Sequence, residues 1–430
     1  MRILLAGGGT GGHLYPALSL ARALSGAPAD PGLCSPRAIP VAPGTPMRLS
    51  LDAPSEGGPE LLLVTDHSEI GDRIASEFEV PIVSVDSRPL SRSSLRAAAA
   101  GLFGNVRGVA QSMPIVSSFR PDIVIGAGGY ASFPVVAAVA MLRTTGPLRH
   151  TRIAVMNPDV APGLANRALA KIADEVWCAY ASTAEFFGRK FVLMGTPVRP
   201  EFYDLPRPQD ARKRLGLAPD KKTILVFGGS QGARTINVAA SALVSRRRLP
   251  PDWQVLHIAG ERDHEWMAAE RGAEPNANGY VLLPYLAEMA LAYAAADIAV
   301  CRAGASTLAE LSTAGVASIL VPYPHAAEAH QHKNAEAFAD AGAALVMEDA
   351  ELDPDALYWK LVEAMDAARL EAMREAAHAL ARPRALADMV ERILMGRIGS
   401  GDANVAATES NAAEDHASTS GKVSKAIRPI

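Results

Sequence analysis

The stretch ILLAGGGTGGHLYPA, residues 3–17, contains the features that decide the fold. An apolar run is followed by a segment in which five of six residues are glycine, and His13 comes next. From Leu14 onward, apolar residues return at helical spacing, at positions 17, 18, 21 and 24. A buried strand that ends in glycines and opens a helix exposes the free N–H groups of the first helical turn. This junction therefore predicts an anion site.

Length and composition narrow the classes of protein. The 430 residues are 49% hydrophobic and 20% charged, which is typical of a globular chain of two or three domains. The net charge of -4 argues against nucleic acid as a partner. The three cysteines are far apart, which favours a reducing cytosol over a disulfide framework. Neither a membrane span of ~20 apolar residues nor a signal peptide is recognisable, so any membrane contact is expected to be peripheral.

Short apolar runs alternate with helical patterns in two separate series. The first series runs through RILLAG, ELLLVTD, PIVSV, PDIVIGAGG, IAVMN and EVWCAY. The second runs through KTILVFGGSQGA, WQVLHIAG, YVLLPY, DIAVCRAGAS, ASILVPY and GAALVM. Strands that alternate with helices predict parallel sheets. We therefore predict an α/β protein of two Rossmann-like, doubly wound parallel-sheet domains with a cleft between them.

The domain boundaries are predicted from composition. We expect a first domain over residues 1–198, a linker with one short helix over 199–221, and a second domain over 222–397. Residues 25–59 are rich in Pro, Gly and Ala and are predicted to be an insertion loop in the first domain. Residues 398–430 hold almost no core residues and are predicted to be a disordered tail.

Four glycine-containing loops follow predicted strands, two in each half of the chain. Besides the first, they are GAGGYASFP (126–134), FGGSQGARTIN (227–237) and CRAGASTLAEL (301–311). Any one of them could serve only as a tight turn that needs a positive φ angle, but four exceed what turns require. Two such loops that face each other across a cleft suit a ligand that carries a diphosphate.

Several longer motifs, in a fixed order, give the chain a resemblance to a known family. They are GGGTGGHLYPALSLARAL, GAGGYASFP, GLANRALAKIAD, GTPVR, GGSQGARTIN, CRAGASTLAEL and HQHKNAEAFADAGAA. Over most of residues 1–395 the chain resembles the MurG family, the UDP-N-acetylglucosamine (UDP-GlcNAc) transferases of peptidoglycan synthesis, in glycosyltransferase family 28. The resemblance implies a GT-B fold. It also implies inverting transfer of GlcNAc from UDP-GlcNAc to the MurNAc 4-hydroxyl of undecaprenyl-pyrophosphoryl-MurNAc-pentapeptide (lipid I), which gives lipid II, at the cytoplasmic face of the cell membrane.

The donor site implied by the resemblance lies mainly in the second half of the chain. Charge that develops on the leaving phosphate must meet oriented N–H groups or a cation, which the GGSQGA and GAST backbones and Arg199 are expected to supply. Leu286 is expected to meet the uracil through its backbone, and Gln331 to bind the GlcNAc hydroxyls. The donor set is Arg199, Ser230, Gln231, Gly232, Leu286, Ala305, Ser306, Thr307, Leu308, Ala309, Glu310, Gln331 and Asn334.

Glu310 has two competing roles. The spacing T-x-x-E, from Thr307 to Glu310, is the signature of a helix capping box. The resemblance gives the Glu310 carboxylate to the ribose hydroxyls instead, and a carboxylate beside glycine loops suits a nucleotide. We favour the ribose role, because the same oxygens cannot fully serve both.

His13 is the candidate general base of the transfer. The attacking hydroxyl must lose a proton, and a histidine with an ordinary pKa near ~6.5 is suited to take it. A helix N-terminus favours the neutral imidazole that a base requires. The alternative is a structural histidine that donates to a carbonyl. The resemblance adds Thr10, Gly11 and Gly12 beside the donor sugar, and Tyr130 in the acceptor pocket.

One motif departs from the family. Residues 156–159 read MNPD where the family usually carries HEQN, so Asn157 replaces a Glu and Asp159 replaces a substrate-binding Asn. An acid in place of an amide loses donors and adds negative charge beside a diphosphate. An altered acceptor, or a degenerate relative that binds a UDP-sugar without transfer, therefore stays open. A dinucleotide-dependent oxidoreductase, with Asp66 on a ribose, would leave the glycine loops of the second half unexplained.

No essential metal or other cofactor is expected. The D-x-D at Asp353 and Asp355 precedes a helical pattern and is predicted to be a helix N-terminus. His325, His330 and His332 lie close together in sequence but lack cysteines or paired carboxylates nearby. The expected small-molecule partner is the donor substrate UDP-GlcNAc.

A basic and apolar segment predicts membrane contact. Residues 86–120 hold five arginines and one acid, with apolar side chains at near-helical spacing. This mixture suits an anionic inner-membrane surface, although an amphipathic helix that covers a sheet gives the same pattern. The predicted contact residues are Arg88, Arg92, Arg96, Leu102 and Phe103.

Overall fold

The computed structural model describes most of the chain. The described residues are 1–8, 11–26, 58–67, 80–88, 95–229, 232–246, 249–271 and 279–399. Nearly all of the predicted insertion (25–59) and of the predicted tail (398–430) lies outside them.

The first sheet contains seven parallel strands among the described residues, in the order β3-β2-β1-β4-β5-β6-β7. The strands are β1 (Arg2–Ala6), β2 (Glu60–Thr65), β3 (Ile82–Ser84), β4 (Ile123–Gly126), β5 (Arg152–Asn157), β6 (Glu175–Cys178) and β7 (Phe191–Leu193). The helices of this half are α1 (Gly11–Ser25), α2 (Leu95–Phe119), α3 (Gly129–Thr145), α4 (Leu164–Ile172) and α5 (Ala184–Phe187). Strand order reverses between β1 and β4, as in a doubly wound sheet.

The second sheet contains six parallel strands among the described residues, in the order β10-β9-β8-β11-β12-β13. The strands are β8 (Lys222–Phe227), β9 (Trp253–Ile258), β10 (Tyr280–Leu283), β11 (Ile298–Cys301), β12 (Ala317–Leu320) and β13 (Ala344–Val346). The helices are α6 (Pro208–Arg214), α7 (Arg234–Ser245), α8 (Glu261–Arg271), α9 (Met289–Ala295), α10 (Ala305–Ala314), α11 (His330–Asp340), α12 (Pro354–Met365), α13 (Ala367–Ala379) and α14 (Ala385–Leu394). The predicted α/β class with two parallel sheets is confirmed.

The core of the first half lies on both faces of its sheet. Because side chains alternate along a strand, Ile3 and Leu5 of β1 pack on one face with residues of α1 and α14. Leu4 and Ala6 pack on the other face with residues of α2, α3 and α4. Burial on both faces explains why the strands read as continuous apolar runs. The second sheet is covered on both faces in the same way.

The chain crosses between the two halves twice. It leaves the first sheet after β7, and segment 199–221 then packs on the second domain, where α6 supplies the predicted short helix. Arg212 of α6 is buried and pairs with Asp297 at 2.8 Å. The chain returns after α13, so that α14, which we assigned by sequence to the second domain, packs on the first sheet.

The two crossings touch each other at Gly195. This residue has a φ of +91°, and a Cβ atom there would lie 2.6 Å from the Cβ of Arg382. Glycine therefore permits both the backbone conformation and the close approach.

Among the helices that the structure describes, none combines the length and hydropathy that spanning a membrane requires.

Candidate active site in the interdomain cleft

All four predicted glycine loops are strand-to-helix junctions at the points where strand order reverses. In the first sheet they connect β1 to α1 and β4 to α3, and these two strands are neighbours. In the second sheet they connect β8 to α7 and β11 to α10, which follow another neighbouring pair. Ligands of open α/β sheets bind outside the carboxyl ends of the strands at such switch points.

The two loops of the first domain lie against each other around His13. A Cβ atom on Gly7 would come 3.0 Å from the Cβ of Ala127. Gly128 and Gly129 both have positive φ angles, and a Cβ on Gly129 would lie 2.7 Å from His13 Cδ2. Glycine at these positions leaves the space that the imidazole occupies.

The His13 ring is held in a low-dielectric position. Its Nδ1 atom is buried, and no partner among the described residues makes a well-formed hydrogen bond to it. Burial lowers the pKa of His13 below its ordinary value of 6.5, and His330 acts in the same direction. Asp159 and the Ala127 carbonyl oppose this shift of the pKa. A neutral imidazole can accept a proton, as a general base must.

Tyr130 lies beside Asp66, the acid that the oxidoreductase alternative would place on a ribose. The Tyr130 hydroxyl lies 3.5 Å from Asp66 Oδ2. Burial, with Asp66 as the second cause, raises the pKa of Tyr130 to about 12. A Cβ on Gly8 would lie 2.7 Å from Asp66 Oδ1, so the first glycine loop runs directly past this carboxylate.

The capping-box interpretation of Thr307 and Glu310 is wrong. Helix α10 begins earlier than expected, with Gly304 as its N-cap and no side-chain capping bond. Thr307 is therefore inside the first turn, where it cannot act as the cap. Ser306 instead points across the cleft and donates from Oγ to the Gly12 carbonyl at 2.9 Å.

Glu310 is fixed by two donors. Arg199 Nη2 donates to Oε1 at 3.1 Å, and the Tyr293 hydroxyl donates to Oε2 at 2.9 Å. The side chains of Arg199 and Glu310 are each only 12% exposed. The Arg199 guanidinium also stacks over the Tyr15 ring of α1, at 5.0 Å from its centroid. Arg199 therefore orients Glu310 and touches the first domain at the same time.

Asn334 of α11 connects the second domain to the MNPD segment of the first. Its Nδ2 donates to Asp159 Oδ1 at 2.8 Å, and its Oδ1 accepts from the Val160 N–H at 2.9 Å. Asn334 is fully buried. Gln331 of the same helix accepts a hydrogen bond from the Tyr323 N–H at 2.9 Å.

The remaining predicted residues divide by position. Leu286 is partly buried against the core of the second domain, and Leu308 is fully buried in it, so only the Leu308 backbone can face a ligand. Gly232 has a φ of +72°, and a Cβ there would collide with the Ala259 carbonyl. Ala305 and Ala309 lie on α10. Thr10, Ser230, Gln231 and Arg92 lie outside the described residues, as do the side-chain surroundings of Gly11 and Arg96.

Arg302, which the sequence analysis did not single out, lies between two of the glycine loops. It follows β11 directly, is 12% exposed and pairs with Asp349. Its Nη2 donates to Thr235 Oγ1 at 3.1 Å, and its Nη1 donates to the Val321 carbonyl at 3.1 Å. Arg302 thus ties the loop after β11 to the start of α7. The only signal in the sequence was an arginine directly after a buried strand and two residues before Gly304.

Three of the side chains that the sequence analysis considered as metal ligands, Asp353, His325 and His332, have partners within the protein. Asp353 accepts from the N–H groups of Asp355 and Ala356 at 2.7 and 2.8 Å, which confirms the predicted helix N-terminus. These bonds lower the pKa of Asp353. His332 lies 3.3 Å from Glu336 and from Glu348. The described residues contain no group of three or more His, Cys, Asp or Glu that could hold a metal ion.

Helix α2 has two different halves. Its C-terminal half packs on the first sheet through Ile115, Val116 and Phe119. Its N-terminal half exposes three apolar side chains that form a surface patch, namely Leu102 (62% exposed), Phe103 (72%) and Val106 (60%). Arg88 is exposed beside it, and its carbonyl accepts from Asn105 Nδ2 at 2.8 Å.

Two parallel-sheet domains with paired glycine loops at a shared cleft define a GT-B glycosyltransferase. Residues 56–178 match the glycosyltransferase family 28 N-terminal domain, and residues 223–391 match its C-terminal domain. Among solved structures, the fold is similar to MurG of Acinetobacter baumannii (TM-score 0.64, 24% identity, 92% of this chain and 99% of that one). It is also similar to a UDP-bound Staphylococcus aureus MnaA (TM-score 0.60, 13% identity, 91% and 95%).

Sequence relatives are closer. The chain is 36% identical, over 92% of its length and 99% of the relative, to the UDP-N-acetylglucosamine–N-acetylmuramyl-(pentapeptide) pyrophosphoryl-undecaprenol N-acetylglucosamine transferase of Desulforamulus reducens. It is 37% identical to the transferase of the same name from Prosthecochloris aestuarii, over 91% and 98%. The chain belongs to this family, the MurG transferases.

Proposed function

We propose that the protein transfers GlcNAc from UDP-GlcNAc to the 4-hydroxyl of the MurNAc unit of lipid I, with inversion at the anomeric carbon, and so forms lipid II. The observation that carries the proposal is the placement of four glycine loops at two switch points of one cleft, with His13 in the first domain and Glu310 in the second. The names of the relatives support the identities of donor and acceptor.

The second domain would hold the donor. The N–H groups at the starts of α7 and α10 would bind the diphosphate, because a helix N-terminus carries partial positive charge. Arg302 holds these two helix starts in register through Thr235. Glu310, already oriented by Arg199 and Tyr293, would accept from the ribose hydroxyls with its remaining lone pairs.

The first domain would hold the acceptor and the base. His13 would take the proton of the 4-hydroxyl while that oxygen forms a bond to C1 of GlcNAc. The bond from C1 to the phosphate oxygen breaks at the same time, and UDP leaves with the electron pair. The backbone N–H groups meet the charge that develops on the leaving phosphate.

The first test is transfer of radiolabelled GlcNAc to a lipid I analogue in the presence of EDTA. We expect the wild type to form lipid II, because the donor set consists of backbone and side-chain groups of the chain itself. We expect His13→Ala to lower kcat about 100-fold, as the loss of a general base does. His150→Ala is the matched control, because His150 is an exposed histidine at the edge of the first domain.

Three outcomes would each contradict a different part of this proposal. Binding of UDP-GlcNAc without any transfer by the wild type would indicate a degenerate relative or another acceptor. Full activity of His13→Ala would remove His13 as the base. Activity that disappears with EDTA would contradict a metal-free mechanism.

We also propose that the protein binds as a peripheral protein to the anionic cytoplasmic face of the cell membrane, through the α2 patch. Leu102, Phe103 and Val106 are exposed side by side on one helix, which a soluble surface seldom shows. The arginines around them would be attracted to anionic headgroups, at about 1 kcal/mol each. Lipid I is itself anchored in the membrane, so the acceptor domain is the one that must approach it.

Vesicle sedimentation tests the membrane proposal. The double variant Leu102→Ser with Phe103→Ser is expected to lower the affinity for vesicles containing phosphatidylglycerol at least about tenfold, since each buried apolar side chain contributes about 1.5 kcal/mol or more. The matched control is Trp359→Ser, because Trp359 is 66% exposed on the second domain. Replacement of Arg88, Arg92 and Arg96 by Glu should also weaken vesicle binding, and most strongly at low salt, where charge interactions are screened least. Unchanged binding by both sets of variants would contradict the proposal.

A further inference from the structure

The MNPD segment is a rigid turn. The Asn157 side chain donates from Nδ2 to the Asp159 carbonyl at 2.8 Å and so spans Pro158. Asn166 of α4 in turn donates to the Met156 carbonyl at 3.0 Å and to Asn157 Oδ1 at 3.1 Å. Asn157 and Asp159, which both depart from the family motif, therefore belong to one hydrogen-bonded bend that fixes the backbone of residue 159.

This turn starts beside His13. A Cβ atom on Gly128 would lie 3.0 Å from His13 Nδ1 and 3.2 Å from the Met156 carbonyl oxygen, so the imidazole and the end of β5 flank the same glycine. Asp159 follows three residues later, and its charge acts on the His13 ring.

The second domain fixes the Asp159 carboxylate. Both polar groups of the Asn334 side chain are used. Its Nδ2 donates to Asp159 Oδ1 and to the Ala303 carbonyl, and its Oδ1 accepts from the Val160 N–H. The bonds to Asp159 and Val160 cross the cleft, and they form only when the two domains are together.

We propose that Asp159 is a positioning residue for His13. Closure of the cleft lets the Asn334 amide hold the Asp159 carboxylate beside the His13 ring, where the negative charge stabilises the imidazolium that proton transfer creates. This proposal rests on the proposed transferase function. It means that His13 is a stronger base in the closed protein than burial alone would allow.

The charged groups around His13 determine whether removing the charge of Asp159 raises or lowers the pKa of His13. Burial lowers the pKa of His13, His330 at the start of α11 lowers it further, and Asp159 and the Ala127 carbonyl raise it. Tyr180 faces Asp159 as well, and burial together with Asp159 raises its pKa, so it stays neutral near pH 7. Removing the charge of Asp159 therefore lowers the pKa of His13 further.

The test is the substitution Asp159→Asn, which keeps an oxygen that can accept from Asn334 and removes the charge. The ring of His13 would be followed by NMR in isotope-labelled full-length protein from about pH 5 to about pH 9, with its signal assigned through His13→Ala. We expect the His13 titration, and the acidic limb of kcat/KM, to move about one unit toward lower pH. Asp159→Glu, which restores a carboxylate, should recover part of both shifts.

Two further variants separate charge from structure. Asn334→Ala keeps the carboxylate but removes the amide that holds it, and should move the His13 titration in the same direction by less. Asp353→Asn is the matched control, because Asn caps a helix as well as Asp does and this cap lies on α12 of the second domain. It should leave the titration unchanged.

The outcomes distinguish this proposal from the function on which it rests. If His13 titrates at the same pH in wild type and Asp159→Asn, or stays neutral across the range in both, the positioning role of Asp159 is overturned. If Asn334→Ala leaves the titration unchanged, the role of Asn334 is overturned. A wild type that makes no lipid II would overturn the proposed function, while the NMR comparison would still be decided independently.

Discussion

At the scale of single residues, Glu310 is held in one orientation by hydrogen bonds from within the protein. Its two oxygens each accept one hydrogen bond from the protein, from Arg199 and from Tyr293. The Arg199 partner balances the charge of a carboxylate that is only 12% exposed. In the proposed function, this carboxylate is already oriented to accept from the ribose hydroxyls, so little conformational freedom is lost when the nucleotide binds.

We expect Glu310→Gln to weaken UDP binding about tenfold or more, because hydrogen bonds to a charged group contribute about 1.5 to 3 kcal/mol. The amide would also present N–H groups to either Arg199 or Tyr293, which are both donors. The free energy of unfolding should therefore fall by about 2 kcal/mol. Calorimetric titration with UDP and urea denaturation measure the two effects.

Glu288→Gln is the control for this prediction. Glu288 pairs with Arg214 at 3.0 Å, but both side chains are about half exposed, at 47% and 57%. Exposed pairs contribute about 0 to 1 kcal/mol, so neither UDP binding nor stability should change much. Wild-type affinity for UDP in Glu310→Gln would contradict the ribose role.

At this same scale, the sequence indicated some site residues and not others. The glycine loops directed attention to His13 and Glu310, because phosphate-binding junctions have a recognisable local spacing. The capping-box interpretation of Thr307 was wrong because Gly304 starts the helix earlier. Arg302 and Asp66 were not foreseen in these roles, since their partners Asp349 and Tyr130 are distant in sequence and only the fold brings them together.

Among the secondary-structure elements, every strand except β7 was predicted from the sequence. Every quoted apolar run contains a strand of the structure. The strand β7, of three residues at one edge of the first sheet, was missed; it lies directly before the GTPVR segment that the sequence analysis treated as the start of the linker. One half of helix α2 covers the sheet, as the amphipathic-helix interpretation predicts, and the other half exposes the apolar patch on which the membrane proposal rests.

Helix α14, the last helix that the structure describes, packs on the domain to which the sequence analysis did not assign it. Its apolar residues predict that it packs on something, but periodicity does not say on which domain. In the structure, Leu386, Met389 and Ile393 of α14 join the core of the first sheet. Arg392 of α14 also pairs with Glu175 of β6, a contact that no local sequence pattern reveals.

At the scale of the whole molecule, the buried Glu175 of β6 joins the first sheet to Arg392 of α14 and to Gly399, the last described residue. Its carboxylate accepts from Arg392 Nε at 2.7 Å, from Trp177 Nε1 at 3.0 Å, and from the Gly399 N–H. The side chains of Glu175 and Arg392 are 5% and 11% exposed. Such a pair is strongly coupled, because either partner alone would be a buried, uncompensated charge.

We expect Glu175→Ala to lower the free energy of unfolding by about 3 to 5 kcal/mol, since it leaves Arg392 buried without a counter-charge. Urea denaturation followed by tryptophan fluorescence measures this loss. Glu391→Ala is the matched control, because Glu391 lies on the same helix and its pair with Arg397 is exposed and 3.9 Å long. A loss below about 1 kcal/mol for Glu175→Ala would show that the apolar contacts of α14 hold it alone.

The contact of the two crossings at Gly195 has a consequence for motion. Two domains joined by a single flexible linker can rotate and translate relative to each other in many ways. Two domains joined by two linkers that contact each other keep mainly one rotation, about an axis through that contact. A rotation about this contact would bring the same residues of the two domains together each time the cleft closes. The hydrogen bonds across the cleft, such as Ser306 to Gly12 and Asn334 to Asp159, then hold the two domains in the closed arrangement.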